Sequence, residues 1–180
     1  MSKIALNPNA SGTGVFTISS PATNTDRTLT LPDEAGTVLT TATAGVPVNG
    51  PAFSASPSAT TSLVQYVATK ITYGTEEWDT NSNFASSRFT PTVAGYYQVN
   101  ASTSLASVSA LTYIHVYKNG SVYKSGNLVG GSSWTIVSCQ VYLNGSTDYI
   151  EIYVQQNSAT QNNETTSSSN YFQAAMVRSA

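Results

Sequence analysis

The chain has few charged residues. Only 9% of its 180 residues are Asp, Glu, Lys or Arg, whereas average soluble proteins have about 25%. The 7 basic and 9 acidic residues leave a formal net charge of −2, and the basic residues form no cluster. A protein that binds the phosphate backbone of a nucleic acid needs a basic patch. The composition therefore argues against a nucleic-acid partner and predicts a surface of hydroxyl and amide groups.

Histidine and cysteine each occur once, as His115 and Cys139. A single cysteine cannot form a disulfide within the chain, and we interpret Cys139 as a buried free thiol. One histidine excludes the paired-histidine metal motifs and most zinc sites. A Ser-His-Asp triad would have to use His115, which lies inside a predicted strand with no nucleophile-elbow sequence beside it. We therefore interpret His115 as a hydrogen-bonded interface residue.

These shortages disfavour an enzyme. A polysaccharide lyase or hydrolase would need paired acids in a groove, and the sequence shows no such pair. We predict no catalytic residue, no cofactor and no metal site.

The chain also lacks a long apolar run. No window approaches the roughly 18 apolar residues of a membrane span, and the N-terminal MSKIALNPNASG lacks the apolar region of a secretory signal. We predict neither a membrane span nor export by the usual route. Together with the hydroxyl-rich surface, this favours a protein that assembles into a particle released by lysis.

What the chain does contain is a pattern of short β-strands. Residues 89–104 begin with an aromatic residue, bend at Pro91 and Gly95, and then alternate apolar and polar residues over 97–101. This block predicts a strand pair around one turn. From residue 51 onward, turn signals recur without a helical period, which predicts an all-β sandwich or barrel.

Two Asn-Gly pairs predict hairpins. Asn119-Gly120 and Asn144-Gly145 each lie between two alternating apolar segments. Asn-Gly readily adopts the positive φ values of a type I′ turn, so each pair predicts two antiparallel neighbouring strands. We further predict a strand over 63–73, a turn over 78–87 and a mobile polar loop over 158–170.

The sequence divides into three parts. Residues 1–45 have short apolar sets but too few large side chains for a core, which predicts a β attachment segment that pairs with other chains. Pro47 and Gly50 predict a linker over 46–50. Residues 51–180 are then the globular knob.

The N-terminal part resembles a known element. Residues 14–40 are similar to a short β segment common in bacteriophage tail-fibre and other virion proteins, with the pattern R-T-L-T-L-P-D-x-x-G-T-V-L. The resemblance implies attachment to other virion proteins. The matching positions are Arg27, Leu29, Leu31, Pro32, Asp33, Gly36, Thr37, Val38 and Leu39.

Residues 51–180 resemble the C1q-like jelly roll of the C1q and tumour necrosis factor superfamily. The segments PAFSA, RFTPTVAGYYQVNAS, YKNG and YFQAAMV carry the resemblance. It implies a ten-stranded sandwich that associates as a threefold trimer. The collagenous Gly-x-y run of C1q relatives is absent. The phage-like segment stands in its place and favours a virion protein over a protein of animal defence. The matching aromatic, proline and glycine positions are Phe53, Phe89, Pro91, Gly95, Tyr97 and Phe172.

Tyrosines concentrate on one side of two predicted strands. In TYIHVYK and DYIEIYVQ, alternation sends the aliphatic side chains to the core and the aromatic and polar ones to the other face. We name the second set the tyrosine patch. Because tyrosine is enriched at interfaces, we predict that the patch is the trimer interface; cross-strand tyrosine pairs on a solvated sheet face are the alternative. The patch consists of Tyr113, His115, Tyr117, Tyr149, Glu151 and Tyr153.

Two further features are candidate binding sites. Glu76, Glu77 and Asp79 lie close together in the predicted turn and have the oxygen ligands that calcium prefers, but the spacing of a calcium loop is missing. Solvated loop charge is the favoured interpretation. The segments around Trp134 and over 158–170 combine aromatic, hydroxyl and amide groups, as sugar-binding surfaces do.

We therefore predict a non-enzymatic virion structural protein of a bacteriophage. Residues 1–45 would attach to the particle, and a trimeric knob would project as a capsid decoration, spike or short fibre. The alternative is a receptor- or glycan-binding tail-fibre module that contacts the host surface.

Overall fold

The computed structural model describes residues 50–105, 111–130 and 134–180, together with residues 11–15, 17, 19, 22–26 and 28. The chain divides into two units, Met1–Val38 and Leu39–Ala180. The predicted attachment segment and linker lie largely outside the described residues, so both stay predictions. None of the described residues belongs to a helix with the length and hydrophobicity of a membrane span.

Every regular element in the described ranges is a strand. In chain order the strands are β1 (Ala52–Ser56), β2 (Ser62–Leu63), β3 (Thr69–Lys70), β4 (Thr75–Asp79), β5 (Phe84–Ala85), β6 (Arg88–Phe89), β7 (Ala94–Thr103), β8 (Thr112–Lys118), β9 (Ser121–Val129), β10 (Thr135–Asn144), β11 (Ile150–Gln156), β12 (Gln161–Asn162) and β13 (Tyr171–Ser179).

Two antiparallel sheets form the knob. The five-stranded sheet has the order β10-β7-β13-β1-β4, and the six-stranded sheet has the order β5-β6-β11-β8-β9 with β3 beside β11. The short strands β2 and β12 pair separately. The predicted all-β sandwich is confirmed.

Aromatic rings join the two sheets. Phe53 of β1 stacks on Phe84 and Phe89 of the six-stranded sheet, with ring centroids 4.4 and 4.6 Å apart. Phe172 of β13 meets Phe53 edge-on at 4.8 Å. Close aromatic pairs add to the free energy gained by burying their area, so this cluster anchors the core.

Strand β7 follows the predicted alternation. Tyr97 and Val99 are fully buried, whereas Gln98 is partly exposed. The predicted strand pair around Pro91 and Gly95 is wrong, however, because β6 pairs with β5 and β11 while β7 pairs with β10 and β13. The bend carries the chain from one sheet to the other, and an edge-on contact between Phe89 and Tyr97 at 5.5 Å then bridges the core.

The two Asn-Gly turns differ. Asn119 and Gly120 have φ values of 51° and 79°, and β8 pairs with β9 around them, so the first hairpin is confirmed. The second prediction is wrong, since β10 and β11 belong to different sheets. The Asn144 side chain explains the difference: its Oδ1 accepts hydrogen bonds from the backbone N–H groups of residues 146–148, which stabilises a wider turn between the sheets.

Four other local predictions need correction. The strand over 63–73 is split into β2 and β3 by Tyr66, whose φ is 60°. The turn over 78–87 is shorter than predicted, because β4 extends to Asp79 and β5 occupies Phe84–Ala85. The tract 158–170 contains β12 and two fully buried asparagines, Asn163 and Asn170, so it is not a purely solvated loop. Cys139 is half-buried rather than buried.

The strand register defines two ends of the knob. At the proximal end, Ala52 lies opposite Ala175, and Pro51 accepts a hydrogen bond from the backbone of Met176. The chain therefore enters the five-stranded sheet at this end. At the distal end, Ser102 lies between Tyr171 and Ile136 on the neighbouring strands.

Candidate interaction surfaces

The tyrosine patch lies on one face of the six-stranded sheet. Strands β8 and β11 are direct neighbours, with Tyr117 opposite Glu151 and His115 opposite Tyr153. Side chains of paired residues share a face. The predicted common face of these strands is therefore confirmed, and the aliphatic residues of the same strands are fully buried on the other side.

The rings of the patch pack against each other. Tyr117 and Tyr153 stack with centroids 3.9 Å apart, and Tyr113 lies parallel to His115 at 6.2 Å. His115 Nδ1 shares a hydrogen bond with Ser125 Oγ at 2.8 Å, and burial lowers the pKa of His115. Among the described residues, His115 has no carboxylate partner, so this Ser-His contact lacks the acid of a triad.

Glu151 is the charged centre of the patch. Its side chain is 3% exposed, and its Oε1 accepts hydrogen bonds from Lys70 Nζ at 3.0 Å and Arg88 Nε at 2.9 Å. Burial by itself would raise the pKa of Glu151, but the hydrogen bonds and charges of both cations outweigh it, and the pKa is lowered. The Arg88 guanidinium also lies 3.8 Å from the ring centre of Tyr149.

Most side chains of the tyrosine patch thus have packing or hydrogen-bond partners within one chain. Tyr117, Tyr149 and Tyr153 are half-buried by their neighbours, and Tyr113 is exposed. These contacts have the form of the cross-strand pairs given above as the alternative. The role of the patch as a trimer interface stays a prediction.

A second surface was missed by the sequence reasoning. On the solvent side of the five-stranded sheet, Tyr96, Tyr142 and Val177 are exposed near the proximal end, and we name them the apolar strip. The Tyr96 and Tyr142 rings lie 5.5 Å apart. Alternation in TIVSCQVYLN predicts that Tyr142 points away from the core, but only the sheet order places it beside Tyr96. The strip borders a cavity of about 680 Å³.

A third surface, the distal groove, brings together two segments that the sequence marked. It has a volume of about 560 Å³, and its walls include Trp134, Ile136, Glu164, Ser168, Ser169 and Tyr171. Trp134 is 57% exposed. The groove therefore combines the aromatic residue and the polar tract predicted as sugar-binding features.

The three clustered carboxylates lie in a strand and not in a turn. Glu76, Glu77 and Asp79 belong to β4. Glu77 accepts a hydrogen bond from Ser54 Oγ, and Asp79 accepts one from the backbone N–H of Phe84. Within the described ranges, no group of three or more His, Cys, Asp or Glu side chains is placed to hold a metal ion.

Comparisons with known proteins agree on the fold. No protein-family model and no curated protein sequence matches the chain. Murine APRIL at pH 8.0 superposes with a TM-score of 0.57 and 8% identity, over 72% of this chain and 100% of that chain. Eiger TNF from S. frugiperda gives 0.51 and 9%, over 73% and 93%. The globular domain of zebrafish complement 1qA gives 0.49 and 18%, over 73% and 100%.

At these identities the APRIL and Eiger TNF likenesses show the fold alone. The chain has a jelly roll like that of these tumour necrosis factor structures, which confirms the jelly-roll fold that the resemblance implied.

Proposed function

We propose that this chain is a homotrimeric structural protein of a bacteriophage virion. Residues 1–45 attach it to other virion proteins, and residues 51–180 form a projecting knob that acts as a capsid decoration, spike or short fibre. The observation that carries the proposal is the joining, in one chain, of a segment similar to phage tail-fibre elements and a tumour-necrosis-factor-like jelly roll. The proposal includes no enzymatic activity.

Association of the knob is supported by its exposed apolar side chains. Burial of apolar area is the main free-energy gain when protein surfaces associate. The apolar strip leaves Tyr96, Tyr142 and Val177 between 41% and 47% exposed. The tyrosine patch has less to gain, because Tyr117, Tyr149 and Tyr153 are already half-buried by neighbours in the same chain. We therefore place the principal trimer contact at the apolar strip, with the tyrosine patch as the competing prediction.

Labelling of particles tests the virion role. An antibody against the knob should decorate particles purified from a lysate of bacteria that carry the gene, and electron microscopy should place the label at repeated positions. A variant that lacks residues 1–45 should keep its oligomeric state but no longer bind the particles. Recovery of the full-length chain only in particle-free fractions would contradict the proposal.

A host-binding role is the second candidate function. The distal groove favours it, because it presents an exposed aromatic ring beside hydroxyl and carboxylate groups. In a host-binding protein the isolated knob should bind cells, whereas a purely structural knob should bind only the particle.

A further inference from the structure

We propose that the distal groove is a binding site for a neutral saccharide, with Trp134 as the stacking platform. Its walls are formed by residues on β7, β10 and β13 and on the loop that precedes β13. Its volume of about 560 Å³ falls within the range of about 300 to 1,000 Å³ that is usual for ligand sites.

The main aromatic side chain of the groove is highly exposed to solvent. Trp134 directly precedes β10 and is 57% exposed, while Tyr171 is half-buried at the start of β13. A sugar ring has an apolar face of C–H groups, which packs on an aromatic ring, and a rim of hydroxyl groups. An exposed indole beside serine hydroxyls and a carboxylate matches both features.

The polar component is suited to hydroxyl groups. Ser168 and Ser169 line the groove together with the Glu164 carboxylate. No described residue donates a hydrogen bond to this carboxylate, so its oxygens are available as acceptors for ligand hydroxyls. Glu164 is also the one charged side chain among the described residues that line the groove. Its negative charge favours a neutral saccharide over an acidic one.

One buried asparagine and a backbone hydrogen bond hold the polar wall in place. Asn170 Oδ1 accepts a hydrogen bond from the Ser104 backbone at 2.8 Å, and Asn170 Nδ2 donates to the Thr166 carbonyl at 3.1 Å. The backbone N–H of Glu164 donates to the Ser104 carbonyl at 2.9 Å. The loop is thereby tied to the end of β7. A preformed wall reduces the entropy lost on binding.

The position of the groove fits contact with an external partner. The chain enters the five-stranded sheet at the proximal end, and the groove lies at the opposite end. The apolar strip and the groove are about 20 Å apart along β7, from Tyr96 to Ser102, at about 3.3 Å per residue. A trimer contact confined to the strip would leave the groove accessible. That it faces away from the particle rests on the proposed function; saccharide binding itself does not.

Tryptophan fluorescence provides the test. The chain has two tryptophans, Trp78 and Trp134, so a full-length Trp78→Phe variant reports on Trp134 alone. It is titrated with a panel of neutral oligosaccharides built from glucose, galactose, mannose, rhamnose and N-acetylglucosamine, and with trigalacturonic acid as the acidic comparison. We expect a saturable change with at least one neutral member and weaker binding of the acidic one.

Variants assign the binding to the groove. In calorimetric titrations of the full-length chain, Trp134→Ala should weaken binding of the positive saccharide by about tenfold or more. Glu164→Gln should narrow the difference between neutral and acidic probes. The matched control is Trp78→Ala, which removes an indole of similar exposure from β4 and should leave the affinity unchanged. Circular dichroism and light scattering verify that each variant keeps its fold and oligomeric state.

The inference is overturned if no neutral member of the panel gives a saturable signal, or if Trp134→Ala binds as tightly as the unmodified chain. Particle labelling tests the virion role separately. A knob that decorates particles but binds no saccharide refutes only this inference, and a saccharide-binding chain absent from particles refutes only the virion role.

Discussion

The Tyr96 and Tyr142 pair provides a direct test of how the knob associates. The two rings lie 5.5 Å apart and are 43% and 41% exposed. Since a buried aromatic side chain covers about 150 to 250 Å², each ring leaves about 60 to 100 Å² for a partner, which is worth about 1.5 to 2.5 kcal/mol. The combined change Tyr96→Ala and Tyr142→Ala should then cost about 3 to 5 kcal/mol per chain, or more than about a hundredfold in affinity.

Light scattering measures the effect over a range of protein concentrations. The unmodified chain should have the mass of a trimer, and the double variant should dissociate into single chains at concentrations where the unmodified protein stays assembled. The Val137, Val141 and Leu143 side chains on the opposite face of β10 stay buried, so the fold itself should persist. Circular dichroism checks that it does.

The tyrosine patch supplies the matched control. Tyr117→Ala with Tyr153→Ala removes the same number of rings from the other sheet, where they stack within the chain at 3.9 Å. This variant should lose some thermal stability but remain a trimer. If it dissociates while the Tyr96 and Tyr142 variant stays assembled, the contact lies at the patch and our reasoning from exposure is refuted. An unmodified chain with the mass of one protomer would refute the trimer.

Three further predictions concern stability. Glu151 has a lowered pKa in the fold, so its contribution is present above its unfolded-state pKa of about 4.3 and is lost as the pH falls through the lower folded value. Thermal melts should therefore show a steeper loss of stability on acidification for the unmodified chain than for Glu151→Gln. At pH 7 the Glu151→Gln variant should be about 1 to 3 kcal/mol less stable than the unmodified chain. Equal dependence of stability on pH in the two proteins would contradict an ionised Glu151 in the fold. Phe53→Ala removes three ring contacts and should cost about 3 to 5 kcal/mol in urea unfolding, whereas a loss of less than about 1 kcal/mol would show that the cluster does not anchor the core. Gly145→Ala would place its Cβ 2.3 Å from the Ala94 nitrogen, while Gly120→Ala would meet only the Tyr149 hydroxyl at 3.5 Å. Both positions have positive φ, which costs an alanine about 1 kcal/mol at either one. Because of its additional clash, Gly145→Ala should lower the melting temperature more than Gly120→Ala does. Equal losses would argue against the turn between sheets at Gly145.

Local periodicity was enough to predict the side of the sheet on which most strand residues lie. Tyr97 and Val99 face the core, and the tyrosines of β8 and β11 share the other face, as alternation predicts. The reason is that side chains of a strand point to opposite faces in turn, whatever the strand's neighbours are. The first Asn-Gly hairpin was predictable for a similar reason, because its φ values depend on two adjacent residues.

Strand pairing was not predictable in the same way. The Asn144-Gly145 turn resembles the first one in sequence, yet β10 pairs with β7, which lies more than thirty residues earlier, and β11 joins the other sheet. In a jelly roll, partners are chosen by how two sheets close over a common core, and this involves contacts between residues distant in the chain. The block around Pro91 and Gly95 was misread for this reason.

The sequence by itself determined the class of fold, the inward and outward faces of the strands, and a surface that depends on hydroxyl, amide and tyrosine groups more than on charge. Only the tertiary structure decided which outward side chains become neighbours. It pairs Glu151 of the tyrosine patch with Lys70 and Arg88 and leaves Tyr96 and Tyr142 exposed beside each other. It also assembles the distal groove, whose walls include Ser102, Trp134, Glu164 and Tyr171. The physical reason is that exposure depends on the neighbours a residue acquires across strands, and these follow from the closure of the whole sandwich.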